Sequence, residues 1–132
     1  PSENEIDGQT YPLEGHFVYK TDNGKITVVS VLYNYGDENQ ALKQIWDKMP
    51  QAANTETELS QPISLDDFYP EDKDYYNFEG SLTTPPCTEG VNWIVFKNQE
   101  TVSKEQVEKF TQTLGFENNR PIQDTNGRKI KE

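Results

Sequence analysis

Thr83-Thr84-Pro85-Pro86 limits the conformations of this chain more than any other stretch. It sits between the polar-aromatic run Tyr75-Tyr76-Asn77-Phe78-Glu79-Gly80-Ser81-Leu82 and the apolar run Val91-Asn92-Trp93-Ile94-Val95-Phe96. Successive prolines fix φ at both positions and remove both backbone donors. A residue before a proline is pushed toward extended geometry, which restricts Thr84. The hydroxyls of Thr83 and Thr84 are therefore expected in a pre-set arrangement on a rigid loop. The β-branched and aromatic residues of 91–96 read as a strand. A stiffened hydroxyl pair at the mouth of a strand is one way to place a site on a scaffold. Taken alone, Thr-Thr-Pro-Pro is more ordinarily a turn with surface threonines.

The rest of the chain reads as strands with short helices. Residues 9–18 alternate as a strand, with Leu13, Gly15 and Phe17 on one face and Glu14, His16 and Val18 on the other. Thr21-Asp22-Asn23-Gly24 is a hairpin signal leading to a valine-rich strand over 25–35. A helix is expected over 40–48, with an apolar stripe of Ala41, Leu42, Ile45 and Trp46. Residues 51–74 read as surface loop, with a short strand and turn near Ile63 to Phe68. Ser103-Lys104-Glu105-Gln106 resembles a capping box opening a helix to about Leu114, stopped by Gly115. The tail from Asn118 is expected to be extended. No repeat and no linker divides the chain, so 1–132 is read as one domain.

Charge and composition narrow the function classes. The chain carries 23 acidic and 12 basic residues, a net charge of −11. Nucleic acid and anionic membrane surfaces, which need basic patches, are excluded as partners. No apolar run is long enough to span a bilayer. Only 32% of the 132 residues are hydrophobic, which reads as one portion of a larger fold rather than a domain with its own full core. His16 is the only histidine. One imidazole does not make a zinc site, and a lone strand histidine is more often structural. Cys87 is the only cysteine, open to being a free thiol or half of a disulfide.

Taken together, four ordered blocks resemble the α-class carbonic anhydrases. They are Ser2-Glu3-Asn4, Leu13-Glu14-Gly15-His16-Phe17-Val18, the loop and strand from Tyr75 to Phe96, and Asn118-Asn119-Arg120-Pro121-Ile122-Gln123. The resemblance implies a mainly β fold, the C-terminal portion of a large, twisted, mostly antiparallel sheet with short peripheral helices. It implies Zn2+ in the complete protein, with His16 as one ligand. The family's other zinc histidines form a His-x-His pair expected just before Pro1, in an N-terminal portion of the same domain. Glu14 matches the carboxylate that orients the ligand imidazole, and Asn118 a position whose carbonyl orients another. Thr83 and Glu3 match the pair that holds the attacking oxygen. Thr84 matches a position lining the substrate region. Val18, Val28, Leu82, Val91 and Trp93 match the apolar wall beside the metal. Arg120 matches an arginine that braces the loops. Asn4 stands where the family commonly has histidine, and Phe78 where it often has tyrosine.

The implied function is reversible hydration of carbon dioxide to bicarbonate and a proton, in a domain completed by the N-terminal portion. The resemblance also implies a disulfide between Cys87 and an upstream cysteine, and with it a periplasmic or secreted location. Self-association as a homodimer is left open. Two other classes compete: a catalytically inactive carbonic-anhydrase-like binding module, and a generic acidic β-rich interaction domain.

Overall fold

The computed structural model describes all residues 1–132 and is built on one mixed sheet. Strands β1 (Leu13–Lys20) and β2 (Ile26–Tyr35) form an antiparallel hairpin. Its turn is closed by the Gly24 N–H to Thr21 O and Thr21 N–H to Lys25 O bonds, both 2.9 Å. Strands β3 (Tyr75–Ser81) and β4 (Glu89–Phe96) form a second antiparallel pair. β4 lies parallel to β2, giving the order β1-β2-β4-β3, and the short β5 (Glu100–Val102) extends the sheet by pairing parallel to β2.

Alternation along β2 divides the interior into two layers. Val29, Val31 and Tyr33 pack to one side with Leu42, Phe68, Phe96 and Val102. Val28 and Leu32 pack to the other with Tyr11, Val91, Trp93 and Val95. β2 is thus covered on both faces, which is why it carries the longest run of buried residues. β1 follows the expected alternation. Leu13 and Phe17 join the first layer, while His16 turns to the second and meets the Trp93 ring edge-on at 5.0 Å.

Several boundaries differ from the sequence expectation. Residues 9–12 are outside β1; Gln9 only bridges back to Ile6. The region near Ile63 to Phe68 is a 3-10 turn over Leu65–Phe68, which sinks the Phe68 ring into the core. Residues 75–81 are a strand, although they read as loop. β3 has no clean apolar alternation of its own, and its order comes from pairing with β4.

Helices α1 (Gln40–Trp46) and α2 (Lys104–Leu114) cover the first layer. Ser103 and Gln106 form the expected capping box, and Gly115 ends α2 at φ 81°, a left-handed conformation that glycine adopts without strain. Gln106 does more than cap its own helix. Its Oε1 accepts from Asn39 N–H at 2.9 Å and Ser103 N–H at 3.1 Å, and its Nε2 donates to Asn39 O at 2.9 Å. Asn39 is itself the N-cap of α1, so one buried amide joins both helix starts. Gln106→Ala is expected to cost about 2 kcal/mol, because it strands buried donors and an acceptor at once. Denaturant titration of the variant against the parent checks this; a loss below about 0.5 kcal/mol would mean that water replaces the amide.

Candidate active site

The site forms where β1, the N-terminal segment and the loop after β3 meet. Glu3 is no loose terminal residue, because its neighbours are pinned. Ser2 N–H donates to Tyr11 O at 2.8 Å, Tyr11 N–H donates to Ser2 Oγ at 2.9 Å, and Ser2 is 2% exposed. Glu3 Oε1 then accepts the Arg120 backbone N–H at 2.6 Å, tying the first residues to the C-terminal tail.

Glu14 is the organising group. Its side chain is 3% exposed. Oε2 accepts from the backbone N–H of Glu3 at 2.7 Å and of Asn4 at 3.0 Å. Oε1 accepts from Asn4 Nδ2 at 2.6 Å and from the Ser30 hydroxyl. His16 Nε2 lies 3.0 Å from the same oxygen, within range but off line, so it counts as a buried nitrogen without an aligned partner. Burial pushes the Glu14 carboxyl up, but the proton and charge of His16 and the Ser30 and Asn4 hydrogen bonds more than reverse this, holding it down at about 2. Its charge is therefore fixed at any ordinary pH. With Nε2 turned to Glu14, Nδ1 is the imidazole nitrogen on the Glu3 side, 3.7 Å from Glu3 Oε2.

The Thr83 loop is closed by backbone bonds. Leu82 N–H donates to Thr88 O and Cys87 N–H to Thr84 O, each at 2.9 Å, and the Pro85–Pro86 peptide is cis. Leu82 packs on the second layer, Thr83 is half-buried, and Thr84 is exposed. No hydrogen bond joins Thr83 to Glu3.

An open cleft of about 760 Å³ brings together Glu3, Glu14, His16, Thr83, Thr84 and Asn118. The apolar residues of the expected wall lie elsewhere. Val28, Val91 and Trp93 are at most 3% exposed within the second layer, Leu82 packs against them, and Val18 is 60% exposed near the end of β1.

Sequence reasoning missed Ser30. Its signal was a lone hydroxyl inside a valine-rich strand, directly across from His16 in register. It also expected a disulfide at Cys87. Within residues 1–132 Cys87 is a half-buried free thiol and the only cysteine, so the expected bridge requires a cysteine from outside these residues.

The residues present do not complete a zinc site. No group of three His, Cys, Asp or Glu is placed to hold a metal ion. The Glu14 oxygens are already engaged, which leaves His16 Nδ1 as a single well-oriented donor.

The model of the family described as eukaryotic-type carbonic anhydrase matches residues 1–132. A carbonic anhydrase of Neisseria gonorrhoeae is 47% identical over 132 residues, covering 100% of this chain and 52% of that protein. One from Pectobacterium carotovorum is 44% identical over 130 residues, covering 98% of this chain and 53% of that protein. The solved α-carbonic anhydrase of Thermovibrio ammonificans, in complex with the inhibitor sulfanilamide, superposes with a TM-score of 0.95 at 48% identity, over 98% of this chain and 57% of that one. The chain thus spans about half the length of the relatives it matches. Sequence and fold agree, and the chain belongs to the eukaryotic-type, or α-class, carbonic anhydrase family.

Proposed function

We propose that this chain supplies one half of a zinc-dependent site for the reversible hydration of carbon dioxide to bicarbonate and a proton. The observation that carries the reading is the Glu14–His16 pair. A deeply buried carboxylate, held by four other donors, lies 3.0 Å from one nitrogen of the imidazole and leaves the other toward the cleft. That is how a metal-binding histidine is oriented and made more basic. Zinc, when bound, lowers the pKa of a coordinated water to about 7.

The chain's own residues have separable tasks. His16 Nδ1 donates one lone pair, and Glu14 keeps the ring from turning. The Asn118 carbonyl orients a histidine from outside these residues. The Thr83 hydroxyl accepts a hydrogen bond from the attacking oxygen and donates one to Glu3, which fixes the oxygen's lone pair toward the carbon. Thr84 borders the bicarbonate position. The remaining zinc ligands come from an N-terminal portion of the same domain. An extracytoplasmic location belongs to this reading by likeness alone, and cell fractionation tests it.

Zinc analysis separates the parts of the proposal. Dialysed against zinc, the 132-residue chain alone should retain well under one equivalent and should not accelerate hydration, since a site needs at least three protein ligands. Joined to a segment that supplies a His-x-His pair, it should hold one equivalent and turn over. One tight equivalent on the chain alone would overturn the shared-site reading. Full zinc loading of the joined protein without turnover would favour the competing reading, an inactive module that keeps the family fold. The lone histidine is the one observation that favours that alternative.

A further inference from the structure

Arg120 and Arg128 are the only arginines in the chain, against 23 acidic residues. In such a chain an arginine ordinarily meets a carboxylate. Neither does: the ion pairs here involve only lysines and His16. Instead, both arginines border the same small pocket of about 70 Å³, together with Glu3, Ser81, Thr83 and Trp93. The pocket lies on a second side of the Thr83 loop.

Both guanidinium groups are placed rather than loose. Arg128 Nε donates to Thr125 O at 2.8 Å, Nη1 to Glu79 O at 3.1 Å and Nη2 to Asp124 O at 3.0 Å. Its head lies 5.7 Å from the Phe78 ring centroid, and Phe78 is stacked on Trp93 at 6.1 Å. Gly80 makes room for this: a Cβ there would come within 3.0 Å of Trp93 and 3.2 Å of Arg128 Nη1. Arg120 Nη1 reaches Ser81 Oγ at 3.3 Å, and its remaining N–H groups have no protein acceptor. One carboxylate does border the pocket, but Glu3 is already engaged by the Arg120 backbone N–H and faces His16. Two positive charges and unused planar donors thus meet in a space sized for a few heavy atoms.

We propose that this pocket is a binding site for a small planar oxyanion, held by Arg120 and Arg128. Guanidinium forks match the in-plane oxygens of such a group and bind it by charge-assisted hydrogen bonds. The pocket is too small for a phosphate ester or an acidic peptide. Bicarbonate as its natural occupant rests on the hydration reading above; the site itself does not.

The arginine Nε–H signals of the 15N-labelled 132-residue chain give a direct readout, because only these side chains contribute. Sodium bicarbonate and sodium nitrate, titrated separately at fixed pH and ionic strength, should each move both signals to saturation with a shared midpoint. Chloride at the same ionic strength should produce no saturating shift. Arg128→Lys and, separately, Arg120→Gln should each raise the midpoint about tenfold, the loss of one strong charge-assisted contact. The backbone spectrum of each variant reports whether the fold survives, and retention by either one suffices for the comparison. Linear drift common to all three salts, movement of one arginine alone, or unchanged midpoints in a folded variant would each overturn the site. Nitrate binding does not depend on zinc or turnover, so failure here and failure of the hydration reading are told apart.

Discussion

Glu14→Ala is expected to destabilise this chain by about 3–5 kcal/mol. The reason is the number of groups it would leave behind. The backbone N–H groups of Glu3 and Asn4, the Asn4 amide, the fully buried Ser30 hydroxyl and the His16 ring all converge on this carboxylate. Removing it strands buried donors that no neighbouring acceptor can reach. The damage should also spread, because Glu14 anchors the N-terminal segment that delivers Glu3. Glu14→Gln keeps the volume and one acceptor oxygen but points an NH₂ at other donors, and should cost about 2 kcal/mol. Urea denaturation of both variants measures the series. A cost below about 1 kcal/mol for Glu14→Ala would mean that the cluster is hydrated rather than closed. The pH dependence has a definite sign. The folded carboxyl titrates near 2 against an ordinary value of 4.5, so its contribution is complete above 4.5 and is lost as pH falls toward 2.

The Glu14 cluster also marks where a sequence stops being readable. Alternation along 13–20 places Glu14 and His16 on one face, and that much follows from strand geometry. That the face is deeply buried, with Ser30 across from it, depends on β2 lying beside β1 in one register. The same division holds elsewhere. Ser103 and Gln106 are legible as a capping box from their spacing alone. The second task of Gln106, holding Asn39 at the start of another helix 67 positions away, is not. The hairpin from β1 to β2 is announced by Asn23-Gly24, whereas the parallel pairing of β2 with β4 has no local signal. β3 was hidden for a related reason. Asn77, Glu79 and Gly80 have weak strand preference, and a Cβ at Gly80 would crowd the Trp93 and Arg128 side chains. The lone arginines drew attention only through Arg120; their shared pocket exists because the tail folds back so that Lys131 bridges Asn77.

In a zinc-loaded protein that carries this chain, Thr83→Ala is expected to lower carbon dioxide hydration about a hundredfold while costing only about 1 kcal/mol of stability. The asymmetry follows from how the hydroxyl is held. The loop around it is closed by Leu82 N–H to Thr88 O and Cys87 N–H to Thr84 O, and neither bond uses the Thr83 side chain. Leu82, which packs on the second layer, keeps its anchor in the variant. The fold therefore has little reason to notice the loss of one half-buried hydroxyl. The reaction does, because a group already in place does not need to reorganise as charge develops, and losing such a partner typically costs about 3 kcal/mol in the transition state. Glu3 makes the argument sharper. Its carboxylate borders the same cleft as Thr83 and is fixed by Arg120 N–H, and in the proposed site it is the acceptor for the threonine's hydrogen bond. Glu3→Gln should then reproduce most of the Thr83→Ala loss, and the double variant should be little worse than either single one, since the residues act as one unit. Stopped-flow hydration rates and denaturant midpoints on the same zinc-loaded preparations separate the outcomes. Near-normal turnover in zinc-loaded Thr83→Ala, or full additivity of the two losses, would remove the coupled role of Thr83 and Glu3 and leave the loop as a structural turn.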